Sequence, residues 1–429
     1  MILSTLFKIW STIVLYFKIA SLILTRKKWH PNSSTTAKNV IVLVTDFLPT
    51  IHGGIYRPAS WLHLAAEKKV DIQLVTNNAR RIDTFGDVLL EQLNLKNHIE
   101  YFDESTFNLV SKACRLLLSR PEFFLAALDK LEKLHRQRPI SHIIASGPDF
   151  TSFAAATLFT KKYKLALHLD YRDEWTHSPF KFSEKTVFSS FIEKACVNLA
   201  HSISMTTQSQ LNNFNQHFKL GCEPWLIPNG CDHFPDLPQI QISDTNQIHI
   251  CHSGNIGGHN DLTELLEFLN LVNHEIIASG YSICLDLCGS IVVKQEAILE
   301  KNKYFPINKL GQLSPEQAFM QVINADFCLL LIDSRYDRYL PGKIFSYIAT
   351  GRPILIFGTS FSHEIAALCQ EFAVPHCFVE SRAGSIQSCC EFINQARHLS
   401  TSPEQLERFK TSMDRRILAE VFFDNLKIV

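Results

Sequence analysis

Asn39-Val-Ile-Val-Leu-Val-Thr-Asp46 is a continuous, mostly β-branched run, and the loop after it carries Gly53 and Gly54. Tyr56 to Lys69 then reads as helix, and Asp71 to Thr76 as a second strand. A run that is apolar throughout, rather than at every second residue, marks a strand buried on both faces, as in a parallel sheet. Strand, glycine loop, helix, strand is a βαβ unit. Further strands are predicted at 142–146, 165–171, 202–206 and 225–228, with helices at 121–137 and 187–199 between them.

The alternation restarts at Gln247-Ile-His-Ile-Cys-His-Ser253, which ends in Gly254 and is followed by Gly257, Gly258 and a helical stretch over 262–272. Strands are predicted at 283–288, 326–332 and 353–357, and helix over 403–426. The turn-rich join is Phe234-Pro-Asp-Leu-Pro238. This pattern predicts an α/β protein of two Rossmann-like domains with parallel sheets. The expected organisation is an N-terminal helix over 1–30, a first domain over 31–236 and a second over 237–408. A C-terminal helix over 409–429 should pack back on the first domain.

Composition narrows the function. The 429 residues are 46% hydrophobic and 20% charged, which excludes a disordered chain. Lys+Arg and Asp+Glu both total 42, so no nucleic-acid partner is expected. The 12 cysteines are scattered with no Cys-x-x-Cys pair, so they read as small core hydrophobes in a reducing compartment rather than disulfides or a zinc site.

Residues Ile2 to Leu24 are mostly apolar, interrupted by Lys8 and Lys18 and followed by Arg26-Lys27-Lys28. On a helix, Ser4, Lys8, Ser11, Thr12 and Lys18 share one arc, and Leu6, Trp10, Ile13, Val14 and Phe17 the other. Residues 2–24 are therefore expected to meet a membrane surface, as an interfacial amphipathic helix or as a transmembrane one. A competing reading packs the helix on the protein's own body. The basic cluster would place the following domain at the cytoplasmic face of the cell membrane.

Glycines before a helix let backbone N–H groups approach an anion. Neither His52-Gly53-Gly54-Ile55 nor Ser253-Gly254-Asn-Ile-Gly257-Gly258 fits the dinucleotide fingerprint, and no phosphate-binding G-x-x-x-x-G-K-[ST] is present. A dehydrogenase and a P-loop enzyme are thereby excluded.

Several segments together resemble the family 4 type of retaining glycosyltransferases. In chain order they are Pro49-Thr-Ile-His-Gly53-Gly54-Ile-Tyr-Arg57, Ile144-Ala-Ser-Gly147-Pro148, Asp170-Tyr-Arg172-Asp173-Glu-Trp175, Pro228-Asn229-Gly230-Cys-Asp232, the second glycine loop and Gly311-Gln-Leu-Ser. The last is Leu340-Pro341-Gly342-Lys343-Ile-Phe-Ser346-Tyr347-Ile-Ala-Thr-Gly351-Arg352-Pro353. The Arg-Asp-x-Trp and Pro-Gly-Lys elements are similar to one bacterial branch, and the resemblance covers about residues 39–425.

The resemblance implies the GT-B architecture of two facing Rossmann-like domains. It also implies transfer of a sugar from a nucleotide-sugar, as co-substrate, to an acceptor with retained configuration. No metal or other cofactor is expected. With the N-terminal helix, it suggests a cell-envelope glycan or lipid-linked acceptor. Catalytic roles fall to Arg172, Asp173 and Lys343. Donor binding falls to Gly254, Gly257, Arg338, Gly342, Lys343 and Ser346, and acceptor binding to His52, Gly53, Gly54 and Arg57.

Lys343 at a helix start suits a diphosphate, whose charge grows as the sugar leaves. Arg335 and Arg352 flank it. Where many relatives carry two Glu residues eight positions apart, this chain has Arg338 and Ser346, and Asn260-Asp261 stands where a phosphate-binding cation is common. Two other readings follow from those departures and from the fold: a non-catalytic GT-B-like nucleotide-sugar-binding or scaffold protein, and a GT-B nucleotide-sugar epimerase.

Overall fold

The run at Val40–Leu43 forms β1, and all four of its residues are buried. In the computed structural model the described residues are 2–427, less 26–27, 32–38, 79–83, 108–111, 181–184, 233–245, 258–261, 359–360 and 381–382. The Phe234–Pro238 join, Gly258, Asn260 and Asp261 lie outside them. The chain divides into two compact units: 1–228 with 418–429, and 229–417.

The first unit adds β2 (Ile72–Asn77), β3 (Ile99–Phe102), β4 (His142–Gly147), β5 (Ala166–Tyr171), β6 (Ser202–Met205) and β7 (Trp225–Leu226). Its sheet runs β3-β2-β1-β4-β5-β6-β7, parallel at every pairing. Val40 pairs with Ile72 on one side and with His142 on the other, so the order reverses at β1. In such sheets ligands gather at the carboxyl ends of the strands flanking the reversal.

The second unit repeats the plan with β8 (Gln247–Ser253), β9 (Ser282–Cys288), β10 (Ile307–Gly311), β11 (Phe327–Ile332), β12 (Ile354–Gly358) and β13 (His376–Val379). Its order is β10-β9-β8-β11-β12-β13, again parallel, with the reversal at β8. The short strands β3, β10 and β13 were not predicted. Apolar side chains from both faces of each sheet pack under helices, giving two cores per unit. All twelve cysteines are free thiols, ten of them buried.

The predicted 403–426 helix is two, Pro403–Met413 and Arg415–Leu426, because Asp414 adopts extended ψ 125°. From Leu418 onward the second belongs to the first unit. Phe422 stacks on Trp61 at 4.4 Å, and Glu420 pairs with Lys68 at 3.2 Å.

The N-terminal helix, Ile2–Ile23, does not stand apart as a separate element. Leu15, Ile19 and Leu22 are buried in the core of the first unit, against the helices Thr151–Tyr163 and Ser189–Leu199. Lys161 donates to the Ser21 carbonyl at 2.9 Å, and just beyond the helix Trp29 donates from Nε1 to the Leu165 carbonyl at 2.7 Å. Among the described residues no helix is long and apolar enough to cross a membrane.

Candidate functional site

In the first unit the carboxyl ends of β1, β4 and β5 converge on Arg172. This residue follows β5 and is buried, and its guanidinium is committed to backbone. Nε donates to the Gly147 carbonyl at 2.9 Å, one terminal nitrogen to the Pro148 carbonyl at 2.9 Å, and the other to the Gly54 carbonyl. A Cβ on Gly54 would lie 2.0 Å from that guanidinium nitrogen, so the second glycine of the loop makes room for Arg172. Gly53 is exposed, with open space where a Cβ would stand.

His52 locks the same loop. Its Nδ1 accepts from the Gly54 N–H at 3.1 Å, so Nε2 carries the hydrogen and donates to the Asp46 carbonyl. Burial pulls its pKa down, which keeps the ring neutral. Asp173, half-buried beside Arg172, has no hydrogen-bond partner among the described residues. Burial pushes its carboxyl up, with Arg172 opposing.

Arg57 is held inside the unit rather than in the open loop. It donates to Asp170 Oδ1 at 2.7 Å and to the Ile227 carbonyl. Asp170 also accepts from Ser146 and Ser204, each at 2.7 Å. Burial alone would raise the Asp170 carboxyl, but Arg57 and the two hydroxyls hold it below its ordinary value. Trp175 is core, stacked on Phe150 at 5.3 Å. His168 is a satisfied strand histidine between Ser202 and Ser204.

A second group at this edge was missed from sequence. Arg120 donates to Asp46 Oδ2 at 2.7 Å and to Glu104, and Asn77 donates to Asp46 Oδ1 at 2.7 Å. Asp46 takes the left-handed backbone conformation, φ 48°, which an Asp tolerates better than most residues. Its position just after the β1 run was the available signal.

In the second unit the ends of β8, β9 and β10 are laced together. Gly254 donates to the Cys288 carbonyl, and Gly289 to the Gly311 carbonyl, both at 2.7 Å. Gly254 has φ +128°, and a Cβ there would lie 2.3 Å from Cε of Lys343 and 2.5 Å from its Nζ. A Cβ on Gly289 would lie 2.6 Å from the Gly254 carbonyl. These glycines let Lys343 lie directly on the loop backbone.

Lys343 stands in the first turn of the helix Gly342–Ala349, and burial pulls its pKa down to about 8. Its Nζ is 3.1 Å from Nε2 of His252. The other ring nitrogen of His252 lies 2.9 Å from the Leu329 carbonyl, so Nδ1 carries the hydrogen and Nε2 accepts from the ammonium. Burial, then the Lys343 charge, pushes the His252 pKa down to about 3. On the same helix, Tyr347 accepts the Ser253 N–H at 2.9 Å and donates to the Leu329 carbonyl at 3.2 Å. Neither His252 nor Tyr347 was singled out from sequence for the donor site.

Gly342 is exposed, and Ser346 is half-buried with the Cys231 thiol 3.9 Å from its hydroxyl. Gly257 is partly buried after β8, and Arg338 is half-buried at the end of the turn Ser334–Arg338. Arg335 is held by Asp333 at 2.8 Å, and Arg352 is buried on the Ile323 carbonyl at 2.8 Å. Elsewhere on β8 and β9, His249, Cys284 and Asp286 bring donor atoms within 4.8 Å of one another. Asn308 donates to Asp286 at 2.7 Å and to Cys284 at 3.2 Å, which closes that group as a polar network.

The paired parallel sheets, each reversing at its first strand, define the GT-B fold. No family model and no curated protein matches the chain. Among solved structures it is similar to the sucrose-phosphate synthase of Thermosynechococcus elongatus, with TM-score 0.64 and 12% identity over 91% of this chain and 98% of that one. It is similar also to the lipopolysaccharide outer core galactosyltransferase WaaB, with TM-score 0.56 and 13% identity over 90% and 99%. The UDP-GlcNAc 2-epimerase of Methanocaldococcus jannaschii matches with TM-score 0.58 and 11% identity over 91% and 100%.

Proposed function

We propose that the protein is a metal-independent retaining glycosyltransferase. It moves a sugar from a nucleotide-sugar to a cell-envelope glycan or lipid-linked acceptor at the cytoplasmic face of the membrane. The observation that carries this reading is Lys343, a half-buried ammonium laid on the Gly254 backbone at the first turn of a helix.

Breaking the glycosidic bond leaves negative charge on the distal phosphate of the nucleoside diphosphate. A preorganised cation and unpaired helix N–H groups stabilise that charge as it develops. Burial makes an unpaired Lys343 ammonium costly, and an anion beside it removes the cost. His252 accepts one ammonium hydrogen and leaves two for phosphate oxygens. Gly254, Gly257 and Gly342 line the backbone around the diphosphate, and Ser346 and Arg338 border it.

On the first unit, Asp173 orients an acceptor hydroxyl, and Gly53 lets the acceptor approach the loop. Arg172 and His52 act as positioning residues, because their polar atoms hold the loop itself. Arg57 supports this site from within, through Asp170. The epimerase among the structural neighbours favours a second reading, nucleotide-sugar epimerisation on the same donor site.

The test incubates the protein with a panel of nucleotide-sugars, with and without lipid-linked acceptors. Nucleoside diphosphate release is followed, and the anomeric configuration of the product is read by NMR. Acceptor-dependent release with retention is expected. Epimer formation without acceptor would establish the second reading, and binding without turnover would make the protein a scaffold.

A further inference from the structure

The N-terminal helix is seated on the first unit by its more polar arc. Ser11, Leu15, Ile19 and Leu22 are 0%, 0%, 2% and 0% exposed, and Thr12 on the same side is reached by the Cys114 thiol. The roughly opposite arc holds Trp10, Ile13, Phe17 and Leu24, which are 58%, 48%, 73% and 75% exposed. Among the described residues, protein packing therefore leaves most of the helix's apolar stripe exposed, with only Val14 half-buried. The helix Ser189–Leu199, packed beside it, exposes Phe191 as well, with Phe188 and Val187 just ahead.

Charge identifies the occupant. The first 45 residues contain Lys8, Lys18, Arg26, Lys27, Lys28 and Lys38 and no Asp or Glu, although the whole chain has 42 of each sign. Lys28 beyond the helix and Lys194 on the neighbouring helix are both exposed, and Lys18 is half-buried. An apolar stripe with Trp and Phe on a helix that carries no acid, with Lys28 and Lys194 exposed nearby and Glu132 already paired to Lys162, matches an anionic lipid surface. Two copies meeting through this face would set Lys28 and Lys194 of one against the same cations of the other.

We propose that Trp10, Ile13, Phe17 and Leu24, with Phe191 beside them, form the surface by which the protein lies flat on an anionic bilayer, while the opposite arc of the same helix remains in the protein core. The aromatic side chains enter the headgroup boundary, and the lysines extend to the phosphates. This gives a definite surface to the membrane location proposed above and rests on that reading for its biological setting only.

The experiment is vesicle flotation of the full chain with phosphatidylcholine alone and with phosphatidylcholine–phosphatidylglycerol, beside the double variant W10S/F17S. Both substituted side chains are exposed, and an unchanged melting temperature verifies the variant's fold. Wild type should float with the anionic vesicles, less so in high salt, and the variant should bind on the order of tenfold or more weaker. Wild type that stays in solution, or a variant that floats equally well, overturns the proposal. So does a lipid-free dimer that W10S/F17S abolishes, because that would make a second copy the occupant. Sugar transfer to a detergent-solubilised acceptor is measured separately. Its absence would fail the enzymatic reading while leaving the flotation result intact, and docking-deficient protein should retain it.

Discussion

Lys343→Met should make the unliganded protein more stable at neutral pH while weakening its hold on a nucleoside diphosphate. Burial pulls the Lys343 pKa from 10.5 to about 8, a cost to the folded state of ~3 kcal/mol at pH values below 8. Met keeps the aliphatic packing and removes that cost. It also leaves Nε2 of His252 without its donor, which costs about 1–2 kcal/mol for a buried polar atom. The net expectation at pH 7 is a gain of ~1–2 kcal/mol. Between pH 8 and 10.5 the unfolded wild-type chain binds the proton that the folded chain has released, so wild-type stability rises with pH through this window. The variant lacks that rise, so its advantage should vanish near pH 9 and wild type should be the more stable by about 1 kcal/mol at pH 10. Urea unfolding of both at pH 7, 8, 9 and 10 measures it, and titration calorimetry with UDP gives the affinities. A variant less stable than wild type at pH 7, or a difference that does not move with pH, would refute the reasoning.

Three further outcomes follow from the geometry. Gly254→Ala places a Cβ on the Lys343 side chain at a backbone conformation suited to glycine, so UDP affinity should fall about tenfold or more by calorimetry; unchanged affinity would remove this loop from the donor site. Arg57→Met strands the buried Asp170 carboxylate and should cost about 3–5 kcal/mol in denaturant unfolding. The Asp170 value is depressed, so its stabilisation is present at neutral pH and is lost as pH falls below the ordinary carboxylate value; the double variant Arg57→Met/Asp170→Asn should recover part of the loss. Deleting residues 2–24 removes three fully buried side chains, Leu15, Ile19 and Leu22, worth roughly 5–9 kcal/mol together. The first unit should then unfold or aggregate, whereas circular dichroism showing an unaltered melting temperature would mean that the helix is an add-on.

The sheets were legible where central strands carry a strong pattern. Val40–Leu43 is short but apolar and buried throughout, and Gln247–Ser253 sets Ile248, Ile250 and Cys251 in the core and runs into a glycine loop. β3, β10 and β13 are edge strands of four or five residues with several partly exposed positions, and such segments carry little pattern. In the candidate donor site, Lys343 and Gly254 were readable from motif and turn chemistry. The pairing of Arg57 with Asp170 was not, because it joins residues 113 apart in sequence. Arg172 resembled a catalytic cation, but the carbonyls of Gly147, Pro148 and Gly54 surround it only once three strand ends are brought together. The two arcs of the N-terminal helix were also readable. Which arc meets the protein depends on the Thr151–Tyr163 and Ser189–Leu199 surfaces, and no local periodicity reports that.

The return of the last helix to the first unit sets an order of events on the ribosome. Trp61 is made early, but Phe422, the ring stacked on it, is made 194 residues after Pro228. At about 5–20 residues per second, the nascent first unit waits roughly 10–40 s for the side chains that close its surface over Trp61. The whole second unit emerges in that interval. An apolar site is thus open on the growing chain for seconds to tens of seconds, a natural place for a chaperone to bind, and the closing contact is made only after the second unit has been synthesised.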